Sequence, residues 1–232
     1  MPESLHSCAV LTGDLVASSR LSGKDLQKIR KLLVNGVRDV AKWEKDLVHR
    51  EPEFFQGDSW QLLLGQPSFA LRVSLFLSAL LRARGPIRSR ISIGLGSAEE
   101  LSARGLGSST GEAFTLSGRG LETMKNREYL SLQVSARIGL LSQWLPLAAV
   151  FCDALAGNFT RRQAEVLSHA LHPDGLTHEQ IRARLEPKVA RQTVTKSLQS
   201  LHWPVLREVL ETFEASPWSE LLGTNVDPHK QL

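Results

Sequence analysis

Two aspartates stand where a carboxylate pair could take up a divalent cation. Asp14 closes the apolar run Ser7-Cys8-Ala9-Val10-Leu11-Thr12-Gly13, and Asp58 follows Gly57 in a short turn between two apolar stretches. Hard cations such as Mg2+ or Mn2+ prefer carboxylate oxygens and share their shell with phosphates and water. Asp14 and Asp58 could converge on one such ion, with the triphosphate of a nucleotide completing its coordination. Each taken alone is also an ordinary turn residue, since Asp satisfies turn backbone and Gly-Asp is a common hairpin tip. A second group lies further along: Thr115 and Arg119, spaced i, i+4, share a helix face with Glu112 and Glu122, opposite Phe114 and Leu121. The plain alternative for that face is a solvated polar surface. A third group is Arg191, Gln192, Thr195 and Lys196 on one predicted helix, with Arg161, Arg162, Arg182 and Arg184 nearby in sequence.

The elements that must position these residues follow from the hydrophobic pattern. Residues 7–13 read as a buried first strand. Residues 24–48 carry Leu26, Ile29, Leu33, Val37, Val40 and Leu47 at helical spacing, which predicts a long amphipathic helix. Residues 53–64 read as two strands joined at Gly57-Asp58. Pro67 opens a helix with Phe69, Val73, Phe76, Leu77 and Leu80 on its buried side, stopped by Gly85-Pro86, and 90–94 alternates like a fourth strand. Strand, helix, hairpin, helix, strand is the ferredoxin-like βαββαβ order, an antiparallel sheet with two helices on one face. Strands one and three are neighbours there, which brings the hairpin tip near the end of strand one. A Gly/Ser-rich loop (97–110), a helix (111–125) and a closing strand (129–134) add to this α+β palm. Beyond residue 140 the pattern is helical throughout, over 144–156, 160–171, 177–185, 189–203 and 205–215, broken at Gly157, Pro173-Asp174-Gly175 and Pro187. The expected division is 1–140 and 141–232, with a polar tail that frays.

The first part resembles the class III nucleotidyl cyclases. The resemblance rests on Thr12-Gly13-Asp14-Leu15-Val16, on Gln56-Gly57-Asp58-Ser59, on Arg90-Ile91-Ser92-Ile93-Gly94 before the Gly-rich loop, and on Gly111-Glu112-Ala113-Phe114-Thr115-Leu116-Ser117-Gly118-Arg119-Gly120-Leu121. It spans residues 7–135 in order and spacing, and the wording is closer still to bacterial SatD-like proteins. It implies a metal set of Asp14, Leu15 and Asp58, and catalytic roles for Asp14, Asp58, Arg119 and Thr115. Implied nucleotide contacts are Leu15, Ser18, Ser19, Phe54 and Gly57. Metal and arginine come from opposite subunits in that family, which implies a homodimer. Departures are also plain: the ribose-orienting Asn falls at Thr115, the adenine-selecting Lys at Phe54, and its acidic partner near Ser108. The metal pair and the arginine are kept while the base-reading pair is lost.

In the second part, Thr177-His178-Glu179-Gln180 forms a capping box, and a short turn at Glu186-Pro187-Lys188 precedes a helix striped by Val194, Leu198 and Leu201. This resembles bacterial helix-turn-helix regulators, in which Arg191, Gln192, Thr195 and Lys196 would contact bases while Arg161 and Arg162 meet phosphates. Seven basic and four acidic residues occur over 160–203. A helical bundle for protein contact is the alternative.

Composition bounds the rest. The chain has 232 residues, 42% hydrophobic, with a net charge of +4, so the overall electrostatic case for nucleic acid is weak and rests on local clusters. The absence of a signal peptide or a long apolar run predicts a cytoplasmic protein without a membrane partner. Cys8 and Cys152 read as buried thiols, and nothing in their placement favours a disulfide. Gly94-Leu95-Gly96 and Gly105-Leu106-Gly107 lack the third glycine of a dinucleotide fingerprint. His169 and His172 have no metal-ligand partners at the right spacing and read as surface or packing residues. Arg82, Arg84, Arg88 and Arg90 read as a solvated basic loop. Taken together, these features predict a nucleotide-responsive DNA-binding regulator. The rivals are a metal-dependent cyclase or nucleotidyltransferase, and a pair of protein-interaction modules.

Overall fold

The structure, a computed structural model, describes residues 3–55, 57–85, 87–125, 128–156 and 159–223; Gln56, Pro86, Gly157 and the tail after 223 lie outside these. The chain runs β1 (Glu3–Leu15), α1 (Gly23–Val40), β2 (Glu53–Phe55), β3 (Ser59–Leu64), α2 (Ala70–Arg84), β4 (Ser89–Leu101), α3 (Glu112–Thr123) and β5 (Leu130–Val134). The sheet order is β2-β3-β1-β4-β5, with β1 antiparallel to both β3 and β4, and β5 added parallel to β4. The first four strands thus stand in the ferredoxin-like order that the sequence predicts.

Alternation divides the sheet into two faces. Ala9 and Leu11 of β1, Trp60, Leu62 and Leu64 of β3, and Ile91, Ile93 and Leu95 of β4 meet the buried stripes of α1 and α2. Cys8 and Val10 turn the other way and pack with Leu63, Ala113 and Phe114 under α3. Gly94 lets α3 sit close to β4: a Cβ there would lie 2.2 Å from the Ala113 carbonyl oxygen. Ser22 caps α1 by accepting from the Asp25 backbone N–H. The predicted helix over 24–48 overshoots, because α1 ends at Val40 and the chain then turns, with Asp46 at φ +57. Leu47 nevertheless stays buried, so hydrophobic period alone could not reveal the end of the helix.

The second half comprises α4 (Leu141–Ala156), α5 (Arg161–Ala170), α6 (His178–Arg184), α7 (Arg191–Ser200), α8 (Trp203–Glu214) and α9 (Trp218–Gly223). The last falls where the sequence predicts a fraying tail. The capping box expected of Thr177 with Gln180 is formed, and the structure shows a second, Thr160 with Gln163. Val166, Ala170, Ile181, Leu185, Val194 and Leu198 make a small core among α5, α6 and α7. The main core is continuous across both halves: Phe159, Leu167, Leu206, Phe213 and Trp218 join the cluster built on α1, α2 and the sheet.

One ion pair ties the halves together. Arg72 of α2, its side chain 6% exposed, is gripped by both carboxylate oxygens of Glu214 on α8, at 2.9 Å for Nη2 to Oε2. Its Nη1 also donates to the Leu171 carbonyl oxygen at 3.2 Å. Removing one partner of such a buried pair leaves the other uncompensated, at a cost of about 3 kcal/mol. Glu214→Ala should therefore destabilise the whole chain by about that amount in urea unfolding, with near-UV and far-UV signals moving in one transition. A loss confined to one half, or an unchanged midpoint, would show the halves to be energetically independent.

Candidate functional site

Asp14 sits where three strands are locked together. It faces Ser59 on β3 and Arg90 on β4 in register. Trp60 Nε1 donates to Ser89 Oγ at 3.0 Å, and Ser89 Oγ donates to the Asp14 carbonyl oxygen at 2.7 Å. Gly13 is required beside this chain of bonds, because a Cβ there would come within 2.5 Å of the Trp60 ring. The Asp14 main chain is thereby held from both sides.

The side chain is held as well. Arg90 forks onto Asp14, with Nε to Oδ1 at 2.9 Å and Nη2 on Oδ2. That contact raises the already high guanidinium pKa of Arg90. Asp58 lies across from Asp14. Its carbonyl oxygen accepts from the Leu15 N–H at 3.2 Å, and its Oδ2 accepts from Ser18 Oγ at 2.5 Å. Ala17 adopts the left-handed region (φ 58, ψ 30) in the turn that presents Ser18. A residue with a Cβ pays about 1–2 kcal/mol for this, a strain of the kind that gathers at functional sites.

Asp14, Asp58, Ser18, Ser19 and Arg90 line one open cleft of about 480 Å³, whose far wall is Lys125, Glu128 and Tyr129. Leu15 is buried at 2% exposure and can offer the cleft only its main chain. Gly57 supplies the positive φ (+90) of the hairpin tip. The donor set suits a hard cation: two carboxylates and hydroxyls, with phosphate oxygens left to complete the shell. No cluster of three or more His, Cys, Asp or Glu that could hold a metal ion occurs among the described residues.

Other residues are placed differently from expectation. Phe54 pairs in register with Trp60 and so shares the α1 face of the sheet, where Arg30 lies over its ring at 5.1 Å. Phe54, expected as a nucleotide contact, thus faces away from the Asp14 side of the hairpin and does not line the Asp14–Asp58 cleft. Thr115 and Arg119 are exposed on α3 and do not line the cleft of their own chain. The solvated basic loop is also corrected, since Arg90 grips Asp14, Arg88 lies 4.6 Å over the Tyr129 ring, and Arg82 Nε donates to the Phe159 carbonyl oxygen. Sequence reasoning missed Arg90, Lys125 and Tyr129 as cleft residues. The signal for Arg90 was present, because aligning β1 and β4 antiparallel sets an opposite charge across from Asp14.

On the helical side, Arg191, Gln192 and Lys196 are exposed over the first turns of α7. Thr195 is half-buried, its hydroxyl 3.2 Å from His178 Nδ1. Arg161 Nε donates to the Ala83 carbonyl oxygen at 2.6 Å, and Arg162 pairs with Glu165 at 2.6 Å. Both of these expected phosphate contacts are thus engaged inside the chain.

Both cysteines are free and buried. Burial pushes both Cys8 and Cys152 up to about 12, and the nearby Asp153 carboxylate adds to the effect at Cys152. A thiol with such a pKa is almost wholly protonated at neutral pH. Iodoacetamide at pH 8 should therefore modify neither residue in the native protein and both after denaturation; rapid native labelling of either would contradict this burial.

No protein-family model matches the chain, and no curated protein matches it. Several solved structures do. The monomeric guanylyl cyclase domain of the RhoGC fusion protein from the aquatic fungus Blastocladiella emersonii aligns at TM-score 0.45 and 19% identity, over 57% of this chain and 83% of that one. The guanylate cyclase domain of RhGC from Catenaria anguillulae, in complex with GTP, gives 0.42 and 19%, over 62% and 84%. The guanylyl cyclase Cya2 gives 0.41 and 17%, over 58% and 77%. At this identity and overlap they carry no residue role over to this chain.

Proposed function

We propose that the Asp14–Asp58 cleft binds a nucleoside triphosphate with Mg2+ or Mn2+, and that two copies of the chain form a nucleotidyl cyclase or nucleotidyltransferase site. One observation carries this reading: two carboxylates from different elements open on a single cleft beside hydroxyls and cationic side chains. Bound there, a divalent cation neutralises phosphate charge and activates a hydroxyl nucleophile. The chain's own residues do the rest. Arg90 orients Asp14, Ser18 orients Asp58, and Lys125 faces the same space as a counter-charge for phosphate.

Arg119 points to solvent on α3, as the trans role implied by the cyclase resemblance demands; from a second copy it would stabilise charge on the transferring phosphate. Support for a second copy comes from α4. Leu140, Trp144 and Phe151 are 66%, 60% and 67% exposed, and with Leu147 they form a stripe at 4-3-4 spacing. Asp153 is the only charged residue in that helix. Large uncovered apolar stripes of this kind mark association faces.

With Phe54 turned away and Thr115 shorter than an amide, base and ribose are held loosely, and misplacement by about 1 Å costs roughly 10²-fold in rate. Incubation with each NTP plus Mg2+ or Mn2+, followed by mass analysis, should show slow product formation that tolerates more than one base. Asp14→Asn and Asp58→Asn should abolish it. Arg119→Ala should lower turnover at least tenfold while leaving NTP binding in place. Unaltered turnover in the aspartate variants would remove the cleft from the chemistry.

A second reading, regulation of DNA by nucleotide, draws on the exposed Arg191, Gln192 and Lys196 at the start of α7, the second helix of a helix-turn-helix arrangement. Binding to duplex DNA should then weaken steeply between about 50 and 200 mM salt, and Arg191→Ala with Gln192→Ala should flatten sequence preference. Indifference to duplexes at low salt would leave α5–α7 as a purely structural bundle.

A further inference from the structure

A second cleft lies between the two halves and shares no residue with the first. It encloses about 460 Å³, within the range of small-ligand sites. Its apolar wall is Trp43, Phe76 and Leu80, with the Trp43 ring 4.9 Å from Phe76 edge-to-face and 5.9 Å from the His172 ring. Its polar wall gathers Arg84 from the end of α2, His169 from α5, His172 just beyond it, and Arg184 from the end of α6.

These charges are poorly compensated. Lys42 is paired with Asp39 at 2.6 Å, and His172 Nδ1 lies 3.5 Å from an Asp174 oxygen. Arg84 and Arg184 form no ion pair with any acidic side chain among the described residues. His169 Nε2 is buried and has no hydrogen-bond partner. Burial first, then the guanidiniums of Arg184 and Arg84, hold His169 below the usual imidazole range, with the Glu165 carboxylate acting the other way. A buried polar atom without a partner is unfavourable, and two guanidiniums without an ion pair line the same cleft. One negatively charged ligand group would meet all three.

We propose that this cleft is a ligand site for a small organic anion, with a phosphate or carboxylate group against Arg84, Arg184 and His169 and a flat apolar body against Trp43. Arginine favours planar oxyanions because its donors match their geometry, and aromatic walls supply dispersion and stacking. The site bridges α1 and α2 to α5 and α6, so occupancy would brace the contact between the sheet-bearing half and the helical half. The proposal is independent of the reading given to the Asp14–Asp58 cleft.

The test uses the full chain and three probes: phenyl phosphate, benzoate and inorganic phosphate. Calorimetric titration should show one saturable site for phenyl phosphate or benzoate, and which of the two binds more tightly identifies the oxyanion. Arg84→Ala and Arg184→Ala should each weaken that binding about tenfold or more. Both side chains are exposed, so thermal midpoints should be unchanged. Trp43→Phe should weaken the aromatic probes and leave inorganic phosphate unaffected. Asp58→Asn, in the other cleft, should alter none of these titrations. No binding of any probe at about 10 mM, or equal binding by wild type and both arginine variants, overturns the proposal. Inorganic phosphate binding as tightly as phenyl phosphate overturns the part played by Trp43.

Discussion

Pairing of β1 with β3 on one edge and β4 on the other decides where every polar side chain of the candidate site can stand. Six residue pairs join β1 to β3 and ten join it to β4, all antiparallel. Side chains alternate between faces, so a slip of one residue would move Asp14 into the apolar layer under α1 and α2. The Trp60–Ser89–Asp14 chain of hydrogen bonds and the tight approach of Gly13 to Trp60 oppose that slip. The geometry of the candidate site and the sheet register are therefore enforced by the same few residues.

Arg90 sits at the centre of this arrangement. Asp14 is only about one-fifth exposed, and a carboxylate so placed needs a charged or hydrogen-bonding partner. The fork from Arg90 provides one, while Asp14 still lines the cleft. On the other side, Ser18 and the strained turn at Ala17 hold Asp58 toward the same space. The two carboxylates are supported by different elements, so the site is preorganised and does not depend on a single loop. The helical half contributes at a distance: through the shared core and the Arg72–Glu214 pair it packs on α2, behind the sheet.

The residues themselves carried much of this structure, and the limits have physical causes. Alternation and turn chemistry sufficed for the βαββαβ order, because apolar parity and Gly57-Asp58 are local signals. The capping box at Thr177 marked a helix start for the same reason. The direction of Phe54 was not readable, since it depends on the β2–β3 register across a tip whose conformation Gly57 alone does not dictate. The Gly/Ser-rich composition after 97 predicts a loop, yet β4 continues to Leu101 because Ala98 and Leu101 pair with Leu5 and Glu3 across bulges that composition does not display. The continuity of the core past residue 140 was invisible too: an amphipathic stripe shows that a helix is buried but not against what.

The central claim, that Asp14 and Asp58 together hold a metal-bound triphosphate, is most directly tested by crystals soaked with Mn2+ and a slowly reacting α-thio nucleoside triphosphate. Anomalous difference maps should place manganese between the two carboxylates, with phosphate density running toward Lys125 and Arg90. Manganese elsewhere in the molecule, or nucleotide bound while the Asp14–Asp58 cleft stays empty, would contradict the account.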